Sequence, residues 1–257
     1  MLKGLAGKTV LVTGAAGNIG AEAVKRFAAE GCNVIAADLT QDAANGIAEQ
    51  YDDKVVAVAA DVSTPEGAKA CVEAASRFGG MDLAFINAGV ECKAAPIAAF
   101  DIDDYEHVFG VNVRGAFLTA KEAVNHFLEA GKPGGILFTA SVAGLQGSPT
   151  TSIYNASKHA VIGLAKSLAL EVAASGIRVN ILCPGAVDSR MMRSLEESIA
   201  AASGASASDI KAGIEGATPM GRYTTPEEIA STAAWILSDE VPFCHGETFT
   251  VSGGMVA

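Results

Sequence analysis

Short apolar runs alternate with amphipathic stretches along most of the chain. Thr9–Thr13, Asn33–Ala37, Val55–Ala59, Leu83–Ile86, Gly135–Thr139, Arg178–Leu182 and Thr248–Val251 read as strands. Between them, Ile19–Glu30, Ala43–Gln50, Pro65–Phe78, Asp103–Ala130, Tyr154–Ala174 and Pro226–Ser238 read as helices. Pro65 and Pro226 suit the first helical position, and Thr64 and Thr225 before them suit the cap. Strands alternating with helices predict an α/β fold: a doubly wound, seven-stranded parallel sheet with helices on both faces. Such sheets bind ligands beyond the carboxyl ends of their strands.

One segment departs from this rhythm. Met191 to Ala217 is rich in Ala, Ser and Gly, with a helical stretch around Met192–Ala202. No linker or repeat divides the chain, so residues 1–257 are expected to form one Rossmann-type domain. The net charge of −11 without a basic patch argues against nucleic acid and anionic membranes as partners. No apolar stretch approaches a membrane span or a signal peptide, and a cytoplasmic location is expected. Five cysteines at wide spacing, with no C-x-x-C, suggest free thiols in a reducing compartment. The four histidines show no metal-ligand spacing, and no metal site is expected.

Three features carry candidate chemistry. Thr13-Gly14-Ala15-Ala16-Gly17-Asn18-Ile19-Gly20 joins the first strand to the first helix. Its glycines allow a tight turn, and the helix that follows offers free N–H groups and a positive dipole end to a pyrophosphate. Asp38 ends the second strand, where a carboxylate accepts both hydroxyls of an adenosine ribose and repels a 2′-phosphate. With Leu39 next and no Lys or Arg at positions 15 to 18, the expected cofactor is NAD rather than NADP. Tyr154 and Lys158 stand one helical turn apart, and an ammonium beside a phenol lowers its pKa. Taken alone, that pair is equally an ordinary helical neighbour pair. Ser141 offers a hydroxyl at the end of the fifth strand, and Asn112 is a polar residue between two valines in a predicted helix.

The order and spacing of Thr13–Gly20, Asn87-Ala88-Gly89, Asn112, Ser141, Tyr154, Lys158 and Pro184-Gly185 resemble the classical short-chain dehydrogenase/reductases, from Lys8 to Gly254. The resemblance implies a catalytic set of Asn112, Ser141, Tyr154 and Lys158. Tyr154 would exchange the proton, Lys158 would hold its pKa down and bind the nicotinamide ribose, and Ser141 would polarise the substrate oxygen. Asn112 would hold a water linking Lys158 to solvent. It further implies that NAD is held by Gly14, Gly17, Asn18, Ile19, Asp38, Asp61, Val62, Asn87, Tyr154, Lys158, Val187 and Ser189. Asp61 and Val62 would meet the adenine, and Val187 and Ser189 the carboxamide. The sequence departs from the family at Asn18, where glycine is usual, at Ile86, where a second Asn is usual, and at Ser252 near the C-terminus.

By the same resemblance, residues 190–217 form a substrate lid, and the chain assembles as a homotetramer through its long helices. Val90, Val142, Ile153, Met192 and Leu195 make the expected pocket largely apolar, with Glu91 its one charge. A small, largely apolar secondary alcohol or ketone, cyclic ones included, is the expected substrate. Two alternatives use the same fold: an enzyme that retains NAD for epimerisation or dehydration, and a non-catalytic NAD-sensing protein.

Overall fold

The apolar runs become β1 (Thr9–Thr13), β2 (Asn33–Asp38), β3 (Val55–Ala59), β4 (Leu83–Ile86), β5 (Gly134–Thr139), β6 (Ile177–Pro184) and β7 (Thr248–Val251) in the computed structural model, which describes residues 1–257. All pair in parallel, in the order β3-β2-β1-β4-β5-β6-β7. Successive strand side chains point to opposite faces, so each run is shared between two cores. Leu11, Ile35, Ala84, Ile86, Ile136 and Phe138 enter one core. Val10, Val12, Val34, Ala36, Phe85 and Leu137 enter the other. Burial on both faces is why these strands are apolar throughout rather than at alternate positions.

The first core is covered by α3 (Pro65–Glu73), α5 (Ala116–Ala130) and α6 (Ser152–Val172). The second is covered by α1 (Asn18–Ala29) and α9 (Pro226–Leu237), with α2 (Gln41–Ala48) at its edge. Phe27, Phe85, Phe127 and Phe138 are among the largest fully buried side chains, each contributing roughly 1.5–3 kcal/mol of burial. The chain leaves β1 toward β2 and β3, then returns to β4 on the other side of β1. Crossovers therefore diverge at the carboxyl ends of β1 and β4, and a cleft opens there. No helix is long and apolar enough to cross a membrane.

Two sequence expectations change. The single helix expected over Asp103–Ala130 is broken: α4 (Ile102–Phe109) and α5 are joined by a π-helical segment, Gly110–Gly115. An extra residue in a turn rotates the following face, a device common at functional sites. The irregular stretch after β6 holds two helices rather than one, α7 (Arg190–Ser203) and α8 (Ala207–Ala217), each started by a serine cap, Ser189 and Ser206. Small residues hid the second helix, since α8 leaves no residue fully buried and so shows little apolar stripe.

Candidate active site

The Gly-rich turn is set by close backbone contacts. Gly14 has φ +66, and a Cβ there would lie 2.9 Å from Ala88 Cα. A Cβ on Gly20 would lie 2.0 Å from the Gly14 carbonyl oxygen. Gly17 is the cap residue of α1 and Asn18 its first residue; no side chain caps the helix, and its first turn holds no acid. By contrast α2, α3, α4, α7, α8 and α9 each begin on a Thr, Ser or Asp that accepts a first-turn N–H. The leading amides of α1 thus have neither intrahelical nor side-chain acceptors. Ile19 turns inward and packs on the second core.

Asp38 is pinned beside this turn, accepting from Ala16 N–H and Leu39 N–H at 2.8 Å each. A carboxylate has about four lone-pair sites, so capacity for two ribose hydroxyls is left. Asp61 is exposed after β3, with one oxygen occupied by Ser63. Val62 is buried against Gly115, where a Cβ would lie 2.9 Å from Val62 Cγ2. An uncapped helix start, a glycine cradle and an oriented carboxylate fit an adenosine diphosphate.

Asn87 ties three strand ends together. Its backbone N–H donates to Thr13 Oγ1 at 3.0 Å, its Nδ2 to the Thr13 carbonyl at 3.2 Å, and its Oδ1 accepts from Thr139 Oγ1 at 3.2 Å. Gly89 follows, and its missing Cβ would lie 3.2 Å from Asn112 Oδ1 and 3.3 Å from Lys158 Nζ. Ile86, where a second Asn is usual, is simply core.

Ser141, Tyr154 and Lys158 converge from β5 and α6. Ser141 Oγ accepts from Ala143 N–H at 3.1 Å, which fixes the hydroxyl at the strand end. Lys158 Nζ donates to the Thr139 carbonyl at 3.1 Å and lies 5.6 Å from the centre of the Tyr154 ring. Asn112, on the π segment, is 1% exposed, and its side-chain amide makes three hydrogen bonds. Oδ1 accepts from Val90 N–H at 2.8 Å, while Nδ2 donates to the Val90 carbonyl at 2.9 Å and to Ser157 Oγ at 3.0 Å. Ser157 Oγ donates in turn to the Tyr154 carbonyl at 2.7 Å. Asn112 therefore clamps the 89–90 backbone onto the helix carrying Tyr154.

The electrostatics differ from expectation. Burial pushes the Tyr154 phenol up to about 12, against a smaller downward pull from the Ser141 hydroxyl. Burial brings the Lys158 ammonium down to about 8. Dehydration is the largest influence on both groups. The expected acidification of Tyr154 by Lys158 is therefore not the resting condition of the site.

Beyond β6, Val187 is buried and bridged to Thr224. Ser189 caps α7, accepting from Met192 N–H at 3.1 Å, with its hydroxyl proton left to donate. Val90, Cys92, Ile153 and Tyr154 pack together as an apolar wall.

Several supporting residues were not singled out from sequence. Thr13 and Thr139 are strand-end hydroxyls whose position alone marks them. Ser157 lies next to Lys158 on a helix face that only packing reveals. Glu196 and Tyr223 form a buried pair at 2.8 Å that holds α7 down, and no local pattern signals it.

Comparison with known proteins agrees with this geometry. A family model described as enoyl-(acyl carrier protein) reductase matches residues 14–256. The chain is 38% identical over 261 residues to 3beta-hydroxysteroid dehydrogenase 2 of Eggerthella lenta, spanning 98% of this chain and 96% of that protein. It is 35% identical over 258 residues to 2,5-dichloro-2,5-cyclohexadiene-1,4-diol dehydrogenase of Sphingobium indicum, spanning 98% of both. The crystal structure of NAD+-bound xylitol dehydrogenase superposes with a TM-score of 0.93 at 31% identity, over 98% of this chain and 100% of that one.

Proposed function

The chain belongs to the classical short-chain dehydrogenase/reductase family and is an NAD-dependent oxidoreductase acting on CH–OH groups; from that premise we propose that its substrate is a small, largely apolar, cyclic secondary alcohol or the matching ketone. The observation that carries the reading is the meeting of Ser141, Tyr154 and Lys158 at the strand ends, with Lys158 Nζ close to Gly89. The apolar wall of Val90, Cys92 and Ile153 beside Tyr154 supports a ring-shaped substrate. Two relatives are named for ring alcohols, a steroid and a cyclohexadiene diol. An acyl-carrier partner fits less well, because two of the three arginines at the mouth, Arg193 and Arg222, are already paired with Asp188 and Glu228.

The first turn of α1, Asp38, Asp61, Val62, Val187 and Ser189 would hold NAD. Bound there, it supplies the hydride acceptor for the alcohol, or the donor for the ketone. Ser141 holds the substrate oxygen toward Tyr154. In ketone reduction the Tyr154 phenol gives its proton to that oxygen, and in alcohol oxidation it takes it back. Lys158 lies against the phenol ring, where its ammonium would stabilise the phenolate that Tyr154 becomes on giving up its proton. Asn112 positions Gly89 and α6 rather than touching the substrate. Following reduced-nicotinamide absorbance with NAD and a panel of cyclic alcohols tests this: steady reduction supports it, product without net reduction points to an epimerase-type reaction, and tight NAD binding without turnover to a sensor.

Asp38 sets cofactor choice in this reading. Asp38→Ser is expected to raise the NADP-to-NAD ratio of kcat/KM by about a hundredfold, since it removes a repulsive carboxylate and two ribose acceptors. Initial rates with both cofactors measure it, and an unchanged ratio would place discrimination elsewhere.

A homotetramer is the proposed assembly. Phe117 and Leu128 on α5 and Leu170 on α6 are 49%, 52% and 84% exposed, and Phe243 beyond α9 is fully exposed. Small residues Ala156 and Gly163 on the outer face of α6 allow close helix approach. Light scattering should give four times the 26.0 kDa chain mass; a monomer at micromolar concentration would refute the assembly. Four of the five cysteines are buried and all are free thiols, which favours the reducing cytoplasm.

A further inference from the structure

The arginines at the mouth of the cleft are not equivalent. Arg193 is held by Asp188 at 2.8 Å and Arg222 by Glu228 at 2.7 Å. Arg190 meets no carboxylate. Its Nη2 donates to the carbonyl of Ala16 at 3.2 Å, within the Gly-rich turn. Its backbone is fixed at the same place, with Arg190 N–H donating to Asn18 Oδ1 at 3.0 Å across 172 residues of sequence. Asn18 is the first residue of α1 and Arg190 the first of α7. The Asn18 side chain thus reaches out of its own helix to hold the start of the lid.

This clasp places a cation where the turn has none. Residues 13–20 contain no Lys or Arg, and the chain carries a net charge of −11. A dianionic pyrophosphate over that turn would gain from a nearby guanidinium, whose forked donors match phosphate oxygens. A guanidinium–carbonyl bond is weaker than a guanidinium–phosphate one, so the Ala16 contact is readily exchanged. The side chain is exposed.

We propose that Arg190 is a cofactor-anchoring residue, exchanging the Ala16 carbonyl for the dinucleotide pyrophosphate while Asn18 holds the first turn of α7 in reach. This rests on the NAD-binding reading above. It couples cofactor binding to lid position, because the residue that meets the phosphates is also the first residue of the lid helix. It also gives Asn18 a use that glycine would not supply.

Calorimetric titration of the intact protein tests it, with NADH, ADP-ribose and adenosine as ligands. Arg190→Ala should weaken NADH and ADP-ribose about tenfold and leave adenosine, which has no phosphate, within about twofold. Arg190→Lys should recover part of the loss. Wild-type affinity for ADP-ribose should fall more steeply with added salt than that of Arg190→Ala. Asn18→Gly should weaken ADP-ribose less than Arg190→Ala and speed tryptic cleavage at Arg190 and Arg193 in the free protein. ADP-ribose binding as tightly to Arg190→Ala as to wild type overturns the proposal, as does an equal loss for adenosine. Failure of wild type to bind NADH or ADP-ribose would instead remove the dinucleotide site itself.

Discussion

Tyr154→Phe is expected to lower kcat for alcohol oxidation by about a thousandfold or more, the upper range for loss of a positioned acid–base group. NADH affinity should stay within about twofold, because only a hydroxyl is lost and the ring stays packed against Val90 and Ile153. The phenol in the resting protein is held up to about 12 by burial. It is therefore neutral at pH 7, ready to donate to a ketone but needing to lose a proton before accepting one from an alcohol. Wild-type kcat/KM for alcohol oxidation should accordingly rise from pH 6 to pH 9, by up to about tenfold per pH unit, while ketone reduction does not. Steady-state kinetics in both directions read this. A Tyr154→Phe enzyme with substantial turnover would remove the acid–base assignment, and a flat oxidation profile would remove its electrostatic basis.

Lys158→Met should lose turnover by a similar factor and yet leave the free protein at least as stable as wild type. Burial takes the ammonium from 10.5 down to about 8. The unfolded chain therefore binds more protons than the native one between pH 8 and 10.5, and this residue's contribution to stability rises with pH across that window. Below pH 8 its penalty is constant, at roughly 3 kcal/mol. Removing the amine relieves that penalty but strands the Thr139 carbonyl, at about 1–3 kcal/mol. The net gain at pH 7 is then about 1 kcal/mol. Cys32, Cys71, Cys183 and Tyr154, all held up by burial, remove stability as pH climbs past the ordinary thiol and phenol values. All four are present in both proteins, and of these Cys183 is coupled to the Lys158 charge, so the difference between the two urea-unfolding curves reads Lys158 together with that coupling. That difference should turn steadily in favour of wild type from pH 8 to 10.5. A pH-independent difference would mean the amine is not buried as a cation.

Much of this was readable before folding was considered. Strand runs and glycine positions depend on local backbone preference and on burial of every strand side chain, and both leave a periodic trace. Tyr154 and Lys158 are legible as a pair because a helix puts residues four apart on one face. Asn112 was legible as an anomaly between two valines, but its bonds to Val90 and Ser157 were not. The expected regular helix became a π segment, and the amide is bonded to Val90 and Ser157. The same holds for Asn18, whose partner lies at the far end of another crossover.

The sequence by itself determined the alternation of strands and helices, the Gly-rich entry to α1, the carboxylate at Asp38 and the one-turn spacing of Tyr154 and Lys158, because each follows from local steric and chemical rules. Tertiary structure alone decided which strand ends Asn87 joins, where the start of α7 is clasped to the Gly-rich turn, and how far burial shifts the phenol and the amine. Those depend on contacts between distant segments and on how thoroughly water is excluded, and neither quantity is written in any stretch of neighbouring residues.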